Sequence, residues 1–414
     1  MSDDVLADVD GAHLAAAEVP ALAAKLCDVI VEVESDGLYP CVVVTRPWSV
    51  HNPQLRGEIA GARAIGWYLE RELAALLAQG ARVHVERGRP AVALDDPRLY
   101  DAVDDASWDL QAKKLFLFRP ERVALSLDRL SHYTGTDPEA FQRYVLFTNY
   151  DLHVQAFRER FPDAVGPRRP GVQTPAWHQV TDRRDGVSIV NIGVGPSNAK
   201  TVTDHVGVLR PDAMLMIGHC GGLRNHQELG DFVLANAYLR RDHVLDDVLP
   251  VAMPVAPNYH LNRFLLAALE GHDVSFRVGT VCTTDNRNWE FDRGPTLAAM
   301  RLSRSLAVDM ESATVAANGF RYRVPNATLL CVSDKPLHGS PKLAGQAVKF
   351  YEASKRKHLD MAVDAIDRVR ATFPQGIPNA DIRSPDEPLL GTAALRLRPD
   401  PGDSGEPGDG RDPG

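Results

Sequence analysis

The segment VSIVNIGVGPSNAKTVTDHVGVLRPDAMLMIGHCGG, residues 187–222, decides the fold class of this 414-residue chain. Its apolar start predicts a strand over residues 187–192, and the following pattern predicts a helix over 197–209. A second apolar strand, 214–217, then runs into the glycine-rich turn 218–222. Strands that are apolar along their whole length and alternate with helices are typical of a parallel sheet covered on both faces.

The same alternation continues towards the end of the chain. We expect further strands over 232–235, 277–281, 306–308 and 328–332. Helices are expected around 296–300, over 310–320 and over 344–372. The predicted fold class is therefore α/β, with a mainly parallel mixed sheet flanked by helices.

The first part of the chain has a different pattern. Strands are predicted at 42–45 and 83–85, on either side of a helix over 58–79. This arrangement indicates an N-terminal α+β domain without a catalytic constellation.

Domain limits follow from composition. Residues 163–175 are rich in proline and glycine, which predicts a linker or domain edge. We therefore expect an N-terminal domain over residues 1–165 and a catalytic domain over 175–375. Residues 380–414 are expected to form a disordered tail, because their last part, RPDPGDSGEPGDGRDPG, is dominated by Pro, Gly and Asp.

Composition also narrows the possible functions. The formal net charge of −9 and the lack of a Lys/Arg block argue against a nucleic-acid partner. No run of about 18 apolar residues exists, and no basic region precedes an apolar core at the N-terminus, so we expect neither a membrane span nor a signal peptide. The five cysteines match no zinc spacing and predict reduced thiols in a cytoplasmic protein without a metal site.

Two acidic residues stand near the predicted carboxyl ends of strands. Glu311 lies in VDMESA, residues 308–313, and Asp334 lies in VSDKP, residues 332–336. Ligands of open α/β sheets bind at the carboxyl ends of strands, so we expect both side chains in one pocket. Spacing alone supports a simpler interpretation equally well, in which Glu311 opens a helix and Asp334 starts a turn.

This pair suits cleavage of a purine ribosyl C–N bond. The departing base needs an acid at N7, and a carboxylic acid in a dry pocket keeps its proton near neutral pH. Asp334 is the candidate for that acid. Glu311 is the candidate for a carboxylate that holds the ribose hydroxyls and favours an oxocarbenium-like transition state. Met310 offers an apolar surface under the sugar ring.

Two glycine-rich turns are candidate binding elements. Gly193 and Gly195 let backbone N–H groups approach an anion or a sugar, although tight packing of strand on helix explains this turn equally well. The turn is not the dinucleotide fingerprint, because Asn198 stands where a third glycine is required. Gly221 and Gly222 follow a buried strand and indicate close approach of the backbone to a flat ligand.

The chain resembles one family of enzymes over nearly its whole length. The motifs of the second part are 191–222, LANAYLR (234–240), GTVCTTDNRNW (279–289), VDMESA and LCVSDKPLHG (330–339). Those of the front part are YPC (39–41), TRPWS (45–49), LDRLSHYTGT (127–136) and YVLFTNY (144–150). With these motifs the chain resembles the bacterial AMP nucleosidases, which belong to the nucleoside phosphorylase superfamily. The front motifs resemble that family's own N-terminal domain, which phosphorylases lack.

The resemblance implies hydrolysis of AMP, a small-molecule nucleotide, to adenine and ribose 5-phosphate. It implies that Asp334 is the leaving-group acid, that Met310 and Glu311 contact the ribose, and that catalysis needs no cofactor. It also implies a homohexamer and a regulatory N-terminal domain, with Mg-ATP as an allosteric activator and phosphate as a second effector.

The expected nucleophile depends on two positions. Hexameric purine phosphorylases, which the core resembles, hold phosphate with two arginines, and the corresponding positions here are Asn198 and Met216. Without these cations water is the expected nucleophile. Asn198 can position the water but cannot deprotonate it, so the general base is unassigned. The alternatives are a purine nucleoside phosphorylase and a protein that binds AMP without turnover.

The 5′-phosphate of AMP requires a site of its own. Arg287 is one candidate, and Trp289 beside it is placed to stack on adenine. Arg46 and the segment 132–136 are further candidates from the front part. For each of them, a surface charge or an ordinary core aromatic explains the sequence at least as well.

Overall fold

The front part of the chain forms a four-stranded sheet. The computed structural model describes residues 5–49, 53–99, 103, 114–291, 293–338 and 344–377. The strands of this sheet are β1 (Val5–Asp10), β2 (Cys41–Thr45), β3 (Gln54–Glu58) and β4 (Arg82–Glu86). Their order is β1-β4-β2-β3, and all three pairings are antiparallel. The predicted disordered tail, 380–414, lies outside the described residues.

Two helices cover the first sheet, α1 (Val19–Ser35) and α2 (Gly66–Ala78). Val83 and Val85 of β4 alternate with more polar residues, and they pack with Leu69 and Leu73 of α2 in one hydrophobic cluster. Alternate residues of the strand thus face the apolar side of the helix, as expected for a sheet that is covered by helices on one face. The predicted α+β arrangement of the front part is confirmed.

The rest of the chain forms an eight-stranded mixed sheet in the order β11-β10-β9-β12-β8-β5-β7-β6. Its strands are β5 (Tyr144–Thr148), β6 (Ala176–His178), β7 (Val187–Asn191), β8 (Ala213–Gly222), β9 (Phe232–Arg241), β10 (Phe276–Thr284), β11 (Ala307–Asp309) and β12 (Asn326–Asp334). Five pairings are parallel, and the pairings β6–β7, β9–β12 and β8–β11 are antiparallel. The β8–β11 pairing closes a ring of five strands.

Helices cover both faces of this sheet. They are α3 (Pro120–Thr134), α4 (Asp151–Arg160), α5 (Pro196–Val206), α6 (Tyr259–Gly271), α7 (Arg293–Leu302), α8 (Ser312–Arg321) and α9 (Ala344–Thr372). Leu215 and Ile217 of β8 face a cluster with α4, α6 and α9, whereas Met214 and Met216 face a cluster with α3, α5 and α8. This burial on both faces confirms the predicted α/β class. Among the helices that the structure describes, none has the length and apolarity needed to cross a bilayer.

Several elements differ from their predictions. The helix expected over 58–79 begins only at Gly66, because residues Gln54–Glu58 form β3. The strand predicted to stop at residue 217 continues to Gly222, because β12 on one side and β11 on the other pair with its glycine-rich end. Helix α6 was not predicted at all. Its buried residues Leu261, Leu265 and Ala268 have helical spacing, which the sequence analysis overlooked.

The first strand of the second sheet begins before the predicted start of the catalytic domain at residue 175. β5 lies between β7 and β8, and α4 packs beneath it, so residues 144–160 belong to the larger sheet. The proline- and glycine-rich segment 163–175 connects α4 to β6 within that unit. A segment rich in proline and glycine indicates a loop. It does not mark the limit of a domain, because that limit depends on which strands pair.

Polar contacts, among them the ion pair of Arg71 with the buried Asp212, join the two sheets. Asp212, just before β8, accepts hydrogen bonds from Arg71 of α2 at 2.5 Å and from Arg143, just before β5, at 2.7 Å. Arg184 donates to the carbonyl oxygen of Ala64 at 3.1 Å. The residues next to β5 and β8 stand at the amino ends of these strands, so this junction lies opposite their carboxyl ends.

Candidate active site

The two acidic segments flank one glycine at the carboxyl end of β8. Gly221 pairs with Val308 of β11 on one side and with Asp334 of β12 on the other. Since neighbouring strands lie about 4.8 Å apart, the backbones at Val308 and Asp334 are separated by roughly 10 Å. The tertiary structure therefore brings the VDMESA segment and Asp334 to one edge of the sheet.

The carboxylate of Glu311 is buried and held by two N–H donors. Its residue is 1% exposed, Oε1 accepts from the Gly195 backbone N–H at 2.6 Å, and Oε2 accepts from Asn149 Nδ2 at 3.0 Å. Glu311 occupies the N-cap position of α8, yet its side chain makes no capping hydrogen bond there. The side chain thus faces the turns after β5 and β7, and capping does not account for it.

Asp309 caps α8 instead. Its Oδ2 accepts from the Ser312 backbone N–H at 3.0 Å and from the Ser312 hydroxyl, and its Oδ1 accepts from the Thr283 hydroxyl at 2.6 Å. Burial raises the pKa of Asp309 to about 6, although the bonds from Ser312 and Thr283 act in the opposite direction. The sequence analysis missed this role, which the spacing Asp-x-x-Ser before a helix indicates.

Asp334 ends β12 where the ladder with β8 is irregular. The residue is half-buried, and its Oδ1 accepts from the Ser333 hydroxyl at 2.6 Å. The next residue, Lys335, is buried and donates from Nζ to the carbonyl oxygen of Asn225 at 3.0 Å, which anchors the turn that follows the strand. Asp334 therefore both precedes a turn and lies across Gly221 from the segment that holds Glu311.

The first glycine turn has a backbone that glycine adopts readily. Gly193 and Gly195 have φ angles of +67° and +110°, which residues with side chains rarely adopt. The Gly193 N–H donates to Asn191 Oδ1 at 3.0 Å, whereas the Gly195 N–H donates to Glu311. The turn thus supports the carboxylate.

The second glycine pair packs closely against protein. A Cβ atom at Gly221 would lie 3.1 Å from Val308 Cγ1, and one at Gly222 would lie 2.9 Å from Val332 Cγ1. Glycine at both positions lets β8 pass between its two neighbouring strands.

Three further predicted residues occupy different environments. Met216 is fully buried in the core between β8 and α5, and Met310 is half-buried between Asp309 and Glu311. Asn198 lies in the first turn of α5, and a Cβ atom added at Gly193 would lie 3.2 Å from its Nδ2. Asn198 therefore lies at the turn that supports Glu311.

The candidates for contacts with the base and with the 5′-phosphate lie in different environments. Trp289 is 4% exposed and packs with Leu223, Cys282 and Val308, as a core aromatic does. Arg287 is exposed in the loop after the carboxyl end of β10.

The front-part candidates make internal contacts. Arg46 is buried and donates from Nη2 to the Ser49 hydroxyl oxygen at 3.3 Å. In segment 132–136, Thr136 lies 2.9 Å from both Thr134 Oγ1 and His178 Nε2. These contacts are those of packed structural residues.

Histidines cluster behind the strand ends. The rings of His153 and His219 stack at 5.3 Å, and His358 meets His153 edge-on at 4.9 Å. Burial lowers the pKa of His153 well below its usual value and that of His358 to about 4, so both rings are neutral at pH 7. In the part of the chain that the structure describes, no group of three or more His, Cys, Asp or Glu side chains is arranged to hold a metal ion.

Asn149 is the second residue that the sequence analysis missed. It follows β5 directly, in a motif that was assigned to the front domain. Its contact with Glu311 spans 162 residues of sequence, so spacing carried no signal for it.

Known proteins share both sequence and fold with this chain. The AMP nucleosidases of Escherichia coli strains K12 and O157:H7 are each 48% identical to it over 292 residues, which cover 61% of this chain and 60% of each relative. The chain thus spans less than two thirds of the length of these curated relatives. The resemblance found in the sequence motifs is confirmed.

Solved structures agree. The crystal structure of AMP nucleosidase from Bacteroides thetaiotaomicron VPI-5482 is 28% identical and covers 61% of this chain and 99% of its own, with a TM-score of 0.51. A purine nucleoside phosphorylase from Toxoplasma gondii, 16% identical, covers 58% of this chain and 98% of its own with a TM-score of 0.50, and it shares the fold. The family model of the phosphorylase superfamily matches residues 144–367, which is more than half of the sequence. The chain therefore belongs to the phosphorylase superfamily.

Proposed function

We propose that this protein hydrolyses the N-glycosidic bond of AMP and releases adenine and ribose 5-phosphate. The observation that carries the proposal is that the segment with the buried Glu311 follows, and Asp334 ends, strands that pair with the two sides of Gly221. The similarity to AMP nucleosidases over 292 residues supports the choice of substrate.

Glu311 holds the sugar. Its two carboxylate oxygens are oriented by the Gly195 N–H and by Asn149 Nδ2. In the proposed complex this carboxylate accepts hydrogen bonds from the two ribose hydroxyls. As positive charge develops on the ribose, these charge-assisted bonds strengthen and lower the barrier. Half-buried Met310 provides the apolar surface under the ring.

Asp334 serves the base. Its position across Gly221 from the Glu311 segment lets one nucleotide bridge the two, with the purine towards β12. A protonated Asp334 donates its proton to N7 as the C1′–N9 bond breaks. The Ser333 hydroxyl, which donates to Oδ1, keeps the carboxyl group oriented.

Water is the nucleophile in this proposal. A phosphate anion is best bound by bidentate arginine, and the two positions that were compared with phosphate-binding arginines hold neutral Asn198 and the fully buried Met216. Arg287, exposed at the carboxyl end of β10, is our candidate for the 5′-phosphate.

A direct assay tests the proposal. Purified protein is incubated with AMP, with and without inorganic phosphate, and adenine is followed by chromatography. We expect adenine and ribose 5-phosphate in the absence of phosphate, and a rate about 10²–10⁴-fold lower for Asp334→Asn, because that variant loses the general acid. Asp367→Asn, on the exposed side of α9, is the matched control.

Three results contradict the proposal. A requirement for phosphate, with a product phosphorylated at C1′, identifies a phosphorylase. Saturable AMP binding without turnover identifies a sensor. Full turnover by Asp334→Asn removes Asp334 from the acid role.

A further inference from the structure

The two polar atoms of the Asn149 amide have different surroundings in the described part of the protein. Nδ2 donates to Glu311 Oε2 at 3.0 Å. Oδ1 is buried and has no hydrogen-bond partner among the described residues. The orientation of the amide is dictated by chemistry, since a carboxylate only accepts and the NH₂ group must therefore face Glu311.

This oxygen lies beside β8, since a Cβ atom added at Gly218 would lie 3.2 Å from Asn149 Oδ1. A buried carbonyl oxygen without a donor is unfavourable, and such groups usually bind water or a ligand. The oxygen thus requires a donor that the described part of the protein does not supply.

The stereochemistry of the substrate identifies that donor. In a β-nucleotide the 2′ and 3′ hydroxyls lie on the face of the ribose opposite the base. A nucleophile that displaces the base in line approaches from the same face as the hydroxyls. In the proposed complex Glu311 holds these hydroxyls, and the bond from Asn149 Nδ2 to Glu311 places Asn149 beside the face from which the nucleophile must come.

We infer that Asn149 positions the attacking water through Oδ1 while it holds Glu311 through Nδ2. This inference rests on the proposed hydrolysis of AMP. The water oxygen forms the bond to C1′, the C1′–N9 bond breaks with its electron pair going to the purine, and Asp334 gives its proton to N7. The attacking water releases one proton to solvent, and Asp334 recovers one from solvent, so Asn149 stays neutral throughout.

A matched pair of variants tests this role. Asn149→Ala and Asn198→Ala remove the same side chain from the two candidate water-binding positions. We expect kcat for AMP to fall about 10- to 100-fold in Asn149→Ala, as for loss of a hydrogen bond to a charged or reacting group, and to fall less in Asn198→Ala. Thermal unfolding of each variant reports whether the fold is retained.

Competition between nucleophiles separates water positioning from a structural effect. With methanol added to the buffer, the methyl glycoside of ribose 5-phosphate forms beside the hydrolysis product. Loss of the oriented water should raise the methyl glycoside fraction severalfold in Asn149→Ala and leave it unchanged in Asn198→Ala. The same shift should persist with 2′-deoxy-AMP, in which one contact to Glu311 is absent.

Gly218→Ala provides a second variant if Asn149→Ala does not fold. Its added methyl group crowds Oδ1, and we expect a smaller decrease in kcat with the same change in product ratio. The inference is overturned by unchanged kcat in Asn149→Ala, by an unchanged product ratio, or by a larger loss in Asn198→Ala. If the wild-type protein releases no adenine from AMP, it is the proposed function that fails.

Discussion

Glu311 takes its orientation from residues far away in sequence. Gly195, in the turn after β7, and Asn149, after β5, each donate one N–H group to its carboxylate. Both donors are neutral, so neither of them cancels the negative charge on which the proposed contact with the ribose depends. Burial makes the arrangement sensitive, because a donor that loses its acceptor there is left unsatisfied.

Glu311→Gln tests this arrangement. The glutamine keeps the shape of the side chain but removes its negative charge. Its NH₂ group must face either the Gly195 N–H, where donor opposes donor, or Asn149, whose amide must then turn over to accept through Oδ1. We expect adenine release from AMP to fall about 10- to 100-fold and the protein to lose about 1–3 kcal/mol of stability, as measured by steady-state kinetics and urea unfolding.

The control for Glu311→Gln is Glu159→Gln, which removes the same charge from an exposed ion pair with Arg356. An exposed pair contributes about 0–1 kcal/mol, so this variant should behave like the wild type. Equal behaviour of the two variants would show that the buried carboxylate has no special role.

At the scale of elements, the start of α8 places Glu311. Asp309 caps the helix through Ser312 and is tied to β10 through Thr283. The Ala313 backbone N–H donates to the Thr283 hydroxyl oxygen at 2.9 Å, which fixes the first turn of the helix from a second direction. Glu311, between the cap and the helix, therefore has little freedom of backbone movement.

Two substitutions of Asp309 should show whether its capping hydrogen bond or its negative charge stabilises the protein. Asp309→Ala loses the cap, and we expect about 1–2 kcal/mol of destabilisation in urea unfolding at pH 7. Asp309→Asn retains an oxygen acceptor for the Ser312 N–H and should be less destabilising. If Asn proves as harmful as Ala, the negative charge matters more than the cap.

At the scale of the whole molecule, buried histidines make stability depend on pH. Burial lowers the pKa of His178 to about 3 and of His205 and His358 to about 4, and that of His153 well below its usual value. The unfolded chain binds protons to these groups below about pH 6.5, whereas the folded protein does not. Asp309, with its raised pKa, increases the free energy of unfolding as pH falls, but this single group opposes four histidines.

We therefore expect the free energy of unfolding to decrease as pH falls from 6.5 to 5. Each buried histidine contributes a slope of about 1.4 kcal/mol per pH unit there. Urea unfolding at several pH values measures this slope. His358→Gln, which preserves a donor for the Leu329 carbonyl oxygen, should reduce the slope by about one histidine's share. A stability that is constant between pH 7.5 and 5 would contradict this expectation.

The sequence by itself determined the α/β class and the strands that lead to Glu311 and Asp334, because the periodicity of apolar residues acts over a few residues. Only the tertiary structure decided that β5 belongs to the larger sheet and that β8 runs on to Gly222. It alone brought Asn149 to Glu311, across 162 residues. Strand order and long-range contacts arise from the pairing and packing of distant segments, and no local pattern in the chain records which segments will meet.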